Sequence, residues 1–369
     1  MSPLQSWAPE LRNLAEQTKN DKCDITIDSP TYIMKIDASV NMYHHFCDFF
    51  NLYASQHLNA TINHPKYNNQ QFSTENQILI WENVPYRSAF ASAFEVFTSH
   101  PIWNLDTLAG KQVCFKDVMF PLLPRMIYGL YYNTPFSSEG EACSGSGLFR
   151  AFSEHVAFRM GMSPPLPNLR KIRVTIMHRL TAHRQILNLD ELVETLKDDG
   201  SYDVKVAQFT HGRPTFREQM KVVHEETDIL VGIHGAGLTH LLFLPNWAAV
   251  FELYHCDDPS CYRDLARLRG IKHVTWTKES LVYHFEADGG NTDLESKARP
   301  AYSKFRNYKF DKDEFLKKIK EAEEHVRNHP DFKSANNIFL TNPKYTKESL
   351  DVDKNVDKDI RSSQMNDEL

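Results

Sequence analysis

Three stretches of this sequence combine residue types and spacings that can do chemistry. The first is His178-Arg179-Leu180-Thr181-Ala182-His183-Arg184. A guanidinium is a planar fork that matches phosphate oxygens, so Arg179 and Arg184 together could hold a diphosphate without a metal. A solvated arginine pair is the plainer reading. The second stretch is His234-Gly235-Ala236-Gly237-Leu238. Its two glycines permit positive φ and leave no Cβ in the way of a ligand, and a helix that opens there presents unpaired N–H groups to an anion. Glu252, on the strand that follows, is placed to accept from ribose hydroxyls or to act as a buried ion-pair partner. The spacing is not GxGxxG, so the usual dinucleotide fingerprint is not indicated. The third stretch, Asn41-Met42-Tyr43-His44-His45-Phe46-Cys47-Asp48, fits a helix on which His44 and Asp48 share one face. A carboxylate beside an imidazole fixes its tautomer and raises its basicity, which makes a general base. His45 is the adjoining candidate, and a helix merely packed under a sheet, with Asp48 capping or pairing, remains the alternative.

These residues need elements to position them. Residues 228–253 read as a buried strand, a Gly-bracketed turn, a short apolar helix stopped by Pro245-Asn246, and a second buried strand. Around them the pattern alternates: strands at 172–177, 202–209, 229–233, 250–253 and 273–276, helices at 187–196, 216–226 and 262–268. Such alternation predicts a parallel, doubly wound sheet, with His234 at a strand's carboxyl end, where ligands bind. Upstream, 25–36 reads as one or two strands, 78–81 as a strand, 90–97 as a helix, 113–123 as a strand and turn, and 148–160 as an amphipathic helix. A polar loop is expected over 59–76 and a loop of Ser, Gly and Glu over 137–147, and Ser163-Pro164-Pro165-Leu166-Pro167 reads as an interdomain hinge. The predicted divisions are a lead-in helix at 1–22, an α/β domain at 23–162, a second at 168–300, an amphipathic helix at 301–330 (its core 310–328) and a charged, disordered tail at 331–369.

The totals narrow the classes. A chain of 369 residues exceeds the roughly 250–300 at which single cores stop growing. With 41% hydrophobic and 24% charged residues it reads as an ordinary globular protein, and a net charge of -6 argues against a nucleic-acid or other polyanion binder. No window approaches the roughly 18 apolar residues of a membrane span. Residues 1–18 lack both a basic and an apolar region, so they do not read as a signal peptide. Yet the chain ends in Asn366-Asp367-Glu368-Leu369, a near variant of the tail that a retrieval receptor reads in the secretory lumen. The six cysteines permit disulfides, with Cys256 and Cys261 spaced to close a small loop, and Asn59-Ala60-Thr61 is a glycosylation acceptor. These features point to the endoplasmic reticulum lumen, and the missing signal peptide to a truncated or alternative product.

Longer runs carry a resemblance. HGAGLTHLLFLPNWAAVFELY from His234, CYRDLARLRG from Cys261, RVTIMHR from Arg173, HRQILN from His183 and NMYHHFCDF from Asn41 resemble one glycosyltransferase family. It holds the EGF domain-specific O-linked GlcNAc transferases together with plant xylan arabinosyl- and xylosyltransferases. The resemblance runs from about Cys23 into the tail. It implies an α/β fold of GT-B type, two Rossmann-like domains facing across a cleft. The domain at 23–162 would then take the acceptor and that at 168–300 the nucleotide sugar. It implies inverting transfer of GlcNAc from UDP-GlcNAc to Ser or Thr of folded EGF-like domains. No cofactor is required by the sequence, and the need for a divalent cation stays open. The resemblance departs at Phe97-Thr98-Ser99-His100-Pro101-Ile102-Trp103, where the animal enzyme carries an Asp-x-Asp. That departure motivates the alternatives of a catalytically silent lumenal binding protein and a transferase for another sugar or acceptor.

Overall fold

The structure is a computed structural model that describes residues 5–11, 22–61, 73–82, 84–124, 145–168, 170–209, 213–253, 261–285 and 306–334. The first half runs through helix α1 (Ala8–Leu11), strands β1 (Ile25–Ile27) and β2 (Thr31–Met34), helix α2 (Met42–Thr61), β3 (Gln77–Ile80), a 3-10 segment (Ala91–Val96), β4 (Trp103–Asn104), β5 (Val113–Phe115), β6 (Val118–Met119) and helix α3 (Gly147–Arg159). The second half begins with β7 (Ile172–Met177), α4 (Leu189–Asp199), β8 (Tyr202–Ala207), α5 (Phe216–Glu225), β9 (Ile229–Gly232), a 3-10 segment (Ala236–Phe243) and β10 (Ala249–Glu252). It closes with α6 (Cys261–Arg269), β11 (Lys272–Thr275), β12 (Val282–Phe285), β13 (Asn307–Phe310) and α7 (Lys312–Asn328).

The expected parallel sheet is present. Its order is β11-β10-β9-β7-β8, with every pair parallel. From β7 the chain crosses to β8 on one side, then returns to lay β9 on the other. The order therefore reverses between β7 and β9, and their carboxyl ends form the crevice where open α/β sheets bind ligands. Helices cover both faces, so Val174, Ile176, Ile229, Leu230, Val231 and Phe251 are wholly buried, as continuous apolar strands require. Asp228 fixes the start of β9 against β7: it accepts from the backbone N–H, Nε and Nη2 of Arg173 and from Trp247 Nε1.

The first half carries a four-stranded parallel sheet, β4-β3-β2-β6, and a separate parallel pair, β1-β5, tied by the Cys23–Cys114 disulfide. The halves share apolar packing. Phe46 of α2 lies 5.3 Å from Phe216 and 5.4 Å from Phe243 between ring centroids, which seats α2 on α5 and on the 3-10 segment after β9.

Several expectations change. Residues 90–97 and 236–243 form 3-10 turns, not α-helices; at the latter, Leu238 N donates to Gly235 O, an i→i+3 closure set by the glycine turn. The segment at 113–123 splits into β5 and β6, because Lys116 N bonds Ile27 O while Asp117 O accepts from Thr31 N, stepping the chain from one sheet to the other. Asn59 to Thr61 complete α2 and do not open a loop. Phe310 belongs to a strand, and Asp311 caps α7 by accepting from Asp313 N and Glu314 N. Order continues past Pro330, where Phe332 is buried 5.8 Å from Trp247. The lead-in helix of 1–22 is described only as α1, and the loop at 137–144, Cys256 and the residues from 335 to the Asn366–Leu369 tail lie outside the described residues.

Candidate active site

The arginines and the glycine turn singled out in the sequence converge. Arg179 and Arg184 follow β7, and the His234–Leu238 turn follows β9, at the two edges of the crevice. A Cβ built on Gly235 would lie 2.8 Å from Arg179 Nη1 and 3.0 Å from Arg184 Nη1, so both guanidinium groups rest on a backbone that only glycine supplies. Gly235 has φ 155° and ψ 168°, a region essentially restricted to glycine. Arg184 Nη1 also donates to the His234 carbonyl at 3.0 Å. Arg184 itself is the non-glycine residue with positive φ, 59°, among those described. That conformation is costly, and it is held by the start of β13 and the residue before it: Arg184 N donates to Arg306 O and Gln185 N to Asn307 Oδ1.

Burial, and next the charge of Arg184, lower the Arg179 pKa below its usual value. Among the described residues the two guanidinium groups have no carboxylate partner. Two cations held together in that way favour a multiply charged anion between them. They line a cleft of about 590 Å³, whose opposite wall is Val40, Asn41 and Met42 at the start of α2 with Ala89 and Phe90.

Behind the turn, His234 Nδ1 meets Glu252 Oε1 at 2.7 Å, and His273 Nε2 meets Oε2 at 2.9 Å. Burial alone would raise the Glu252 pKa; the two histidine bonds outweigh it and hold the carboxyl low. Glu252 is 1% exposed with each oxygen bonded to a histidine, so it is the buried partner that orients His234.

The helix pairing differs from the expected one. Asp48 is buried and binds His45 Nδ1 at 3.0 Å, at i+3, in place of His44 at i+4. It also accepts from Asp37 N. His45 Nε2 meets the Tyr86 hydroxyl at 2.6 Å, and burial depresses the His45 pKa to about 3. This is a neutral core histidine in a closed network, unsuited to take a proton from a bulky acceptor. His44 instead pairs through Nδ1 with Asp37 Oδ2 at 2.6 Å, and its side chain is 22% exposed. A run of edge-to-face rings connects it to the turn after β9: His44 to Tyr43 at 5.9 Å, Tyr43 to Tyr262 at 5.6 Å, and Tyr262 to His234 at 5.1 Å.

The model of the Glycosyltransferase 61 family matches residues 42–251. The chain is 49% identical over 339 residues to the EGF domain-specific O-linked N-acetylglucosamine transferase of Drosophila melanogaster, covering 90% of this chain and 61% of that relative. It is 47% identical over 335 residues to the protein of the same name from Mus musculus (89% and 60%), and 47% over 334 residues to that from Gallus gallus (89% and 59%). The chain belongs to the glycosyltransferase 61 family. It spans about 60% of the length of these curated relatives.

The family segment begins at Met42 and ends at Phe251. It therefore contains Arg179, Arg184 and the glycine turn, whereas Asp37, Glu252 and Tyr262 lie just outside. Asp37, Tyr262 and His240 were not among the sequence candidates. Each acquires its place through contacts across the chain, and Asp37 alone left a local signal, a carboxylate shortly before a His-bearing helix. Among the described residues there is no cluster of His, Cys, Asp and Glu arranged to hold a metal. Residues 97–103 pack beside β3, with Thr98 Oγ1 donating to Asn76 O, and none of them lines the cleft. The Asn59 side chain is outside what the structure describes.

Proposed function

We propose that this glycosyltransferase-61 chain transfers N-acetylglucosamine from UDP-GlcNAc to Ser or Thr hydroxyls of folded EGF-like domains, with inversion. The observation that carries the reading is the pair of guanidinium groups laid over Gly235 at the switch point between β7 and β9. They would hold the donor diphosphate and stabilise the charge that grows on it as the bond to the sugar breaks. Fixed cations of this kind serve a leaving diphosphate in a GT-B type enzyme without a metal. The two parallel sheets, with a cleft whose walls come from both halves, support that architecture: the acceptor on the 23–162 side, the nucleotide sugar on the 168–300 side.

The acceptor hydroxyl attacks the anomeric carbon from the face opposite UDP, and a base removes its proton. Geometry favours His44 over Asp48, because the Asp37 carboxylate on Nδ1 fixes the orientation of a partly exposed ring, whereas Asp48 is buried against His45. The disulfide Cys23–Cys114 supports residence in an oxidising compartment, and the Asn366–Leu369 tail supports retrieval to the endoplasmic reticulum lumen by its receptor.

The test is intact-mass analysis of a folded EGF-like domain incubated with this chain and UDP-GlcNAc, with and without EDTA. A gain of one N-acetylhexosamine in both conditions is expected. A gain only without EDTA would place a cation in the reaction. No gain, with UDP-GlcNAc still protecting the chain from thermal unfolding, would replace the transferase with a silent binding protein. A panel of pentose donors separates a transferase for another sugar.

A further inference from the structure

The floor of the cleft contains a hydrogen-bond chain that is one proton short. His240 is 2% exposed and lines the cleft beside Arg179, Arg184 and Gly237. Its Nδ1 lies 2.7 Å from the Gly237 carbonyl oxygen, and its Nε2 lies 3.0 Å from Gln219 Oε1. The other end of that amide, Nε2, donates to the Pro214 carbonyl at 2.8 Å. The chain thus starts and finishes on a carbonyl, which only accepts. The amide between offers one side as donor and the other as acceptor, whichever way it is turned. Three contacts need three protons. The amide supplies one and a neutral imidazole one, so only an imidazolium completes the set.

Burial opposes that charge. It lowers the His240 pKa to about 4 despite the bond to Gly237. Arg179 and Arg184 add like charge in the same cleft. The elements packed against the segment carrying His240 bring groups engaged elsewhere. From α2 come His45 and Asp48, bonded to each other; from α3 come Glu154, paired with Arg150, and His155, bonded to the Val96 backbone. From α5 come Glu218, held in its own helix cap, and His224, on the Phe243 carbonyl. From α6 come Tyr262, Asp264 beside Arg267, and Arg269, held by the Leu242 and Leu244 carbonyls; β10 brings Glu252, between His234 and His273. The hydrogen bonds of His240 itself reach Gly237 and Gln219, neither of them a carboxylate.

We infer that His240 takes up a proton from solvent when a diphosphate enters the cleft and becomes a third cation beneath it, with Gln219 as the residue that poises it. The inference rests on the diphosphate reading of the cleft. An arriving dianion reverses the field of the two arginines, and the hydrogen-bond chain is already arranged to receive the proton. His240 acts as a positioning residue, because both ring nitrogens are committed to protein acceptors.

The experiment is titration calorimetry of the intact protein with UDP-GlcNAc at neutral pH, in buffers of differing ionisation enthalpy. This ligand's diphosphate is a diester with no proton to exchange near neutrality, so the slope of heat against buffer enthalpy counts protons on the protein. About one proton taken up per ligand bound is expected. Gln219→Met removes the acceptor that demands the third proton, and Gln219→Glu supplies a carboxylate that charges the imidazole beforehand. Both should bind with the uptake cut to near zero, whereas a merely structural Gln219 would change affinity and leave the proton count alone. Binding without uptake in the wild type, or uptake unchanged in both variants, overturns the role of His240 and leaves the diphosphate reading standing. Absence of UDP-GlcNAc binding overturns both.

Discussion

Gly235→Ala is the sharpest perturbation the site offers. The new methyl would sit 2.8 Å from Arg179 Nη1 and 3.0 Å from Arg184 Nη1, where about 3.5 Å is the usual contact. Both guanidinium ends must withdraw by about half an ångström or more. The colliding atoms are ends of flexible side chains, so the collision costs the fold little, and the backbone geometry dominates the stability change. Alanine in this glycine region costs about 1–3 kcal/mol, which lowers Tm by about 1–1.5 °C per kcal/mol in a chain of this size. Binding suffers separately. A hydrogen bond to a charged group contributes about 1.5–3 kcal/mol, and halving two of them removes about that amount in total. The dissociation constant for UDP should rise by about 10- to 150-fold. Calorimetric titration with UDP, on protein whose unliganded melting is measured in parallel, separates the two effects. A folded Gly235→Ala protein that binds UDP as tightly as the wild type would refute the placement of the diphosphate over this turn.

Three further outcomes follow from the same geometry. Arg184→Ala should weaken UDP binding by at least about tenfold, since it deletes a charged donor. Arg184→Gly should bind equally poorly yet melt higher, because it relieves a left-handed backbone that costs about 1–2 kcal/mol; an Ala variant as stable as the Gly variant would remove the strain argument. Asp37→Asn should keep UDP affinity and lower transfer by about 10²- to 10⁴-fold, whereas Asp48→Asn should chiefly lower Tm through the His45–Tyr86 network. Normal turnover in Asp37→Asn would exclude the His44 base. His45 and His240 have folded pKa values lowered to about 3 and 4, so the unfolded chain binds more protons below its ordinary histidine pKa of about 6.5. Their contribution to stability is complete above about pH 6.5 and is lost as pH falls towards 4 and then 3. Urea unfolding at pH 7 and pH 5 should show the lower midpoint at pH 5, and equal midpoints would refute the neutral burial of these rings.

Where sequence reasoning worked, the information was local. Arg179, Arg184 and the glycine turn each follow a buried apolar strand directly, so strand alternation alone brought them to one edge. It failed where placement depends on distant chain. The side of α2 that binds Asp48 was a matter of one residue: i+4 favoured His44, but the burial of α2 against Phe216 and Phe243 turns His45 inward. Asp37 reaches His44 from the turn before the helix, and Tyr262 completes the ring run from another half of the protein. Glu252 was ambiguous because its second partner, His273, sits on a strand that is adjacent in space only. The 3-10 geometry after β9 was hidden because a glycine-rich opening carries no distinguishing apolar period.

The bond from Arg184 to Arg306, and those from Leu187 N to Tyr308 O and Tyr308 N to Gln185 O, have a consequence for biosynthesis. The loop that presents Arg184 is locked by residues made more than a hundred positions later. Such a contact has high sequence separation and forms late. During synthesis the sheet from β7 to β10 can assemble first, with the arginine loop untethered until β13 has emerged and docked. On the proposed reading of the cleft, affinity for the nucleotide sugar would then mark a chain whose strand β13 is in place.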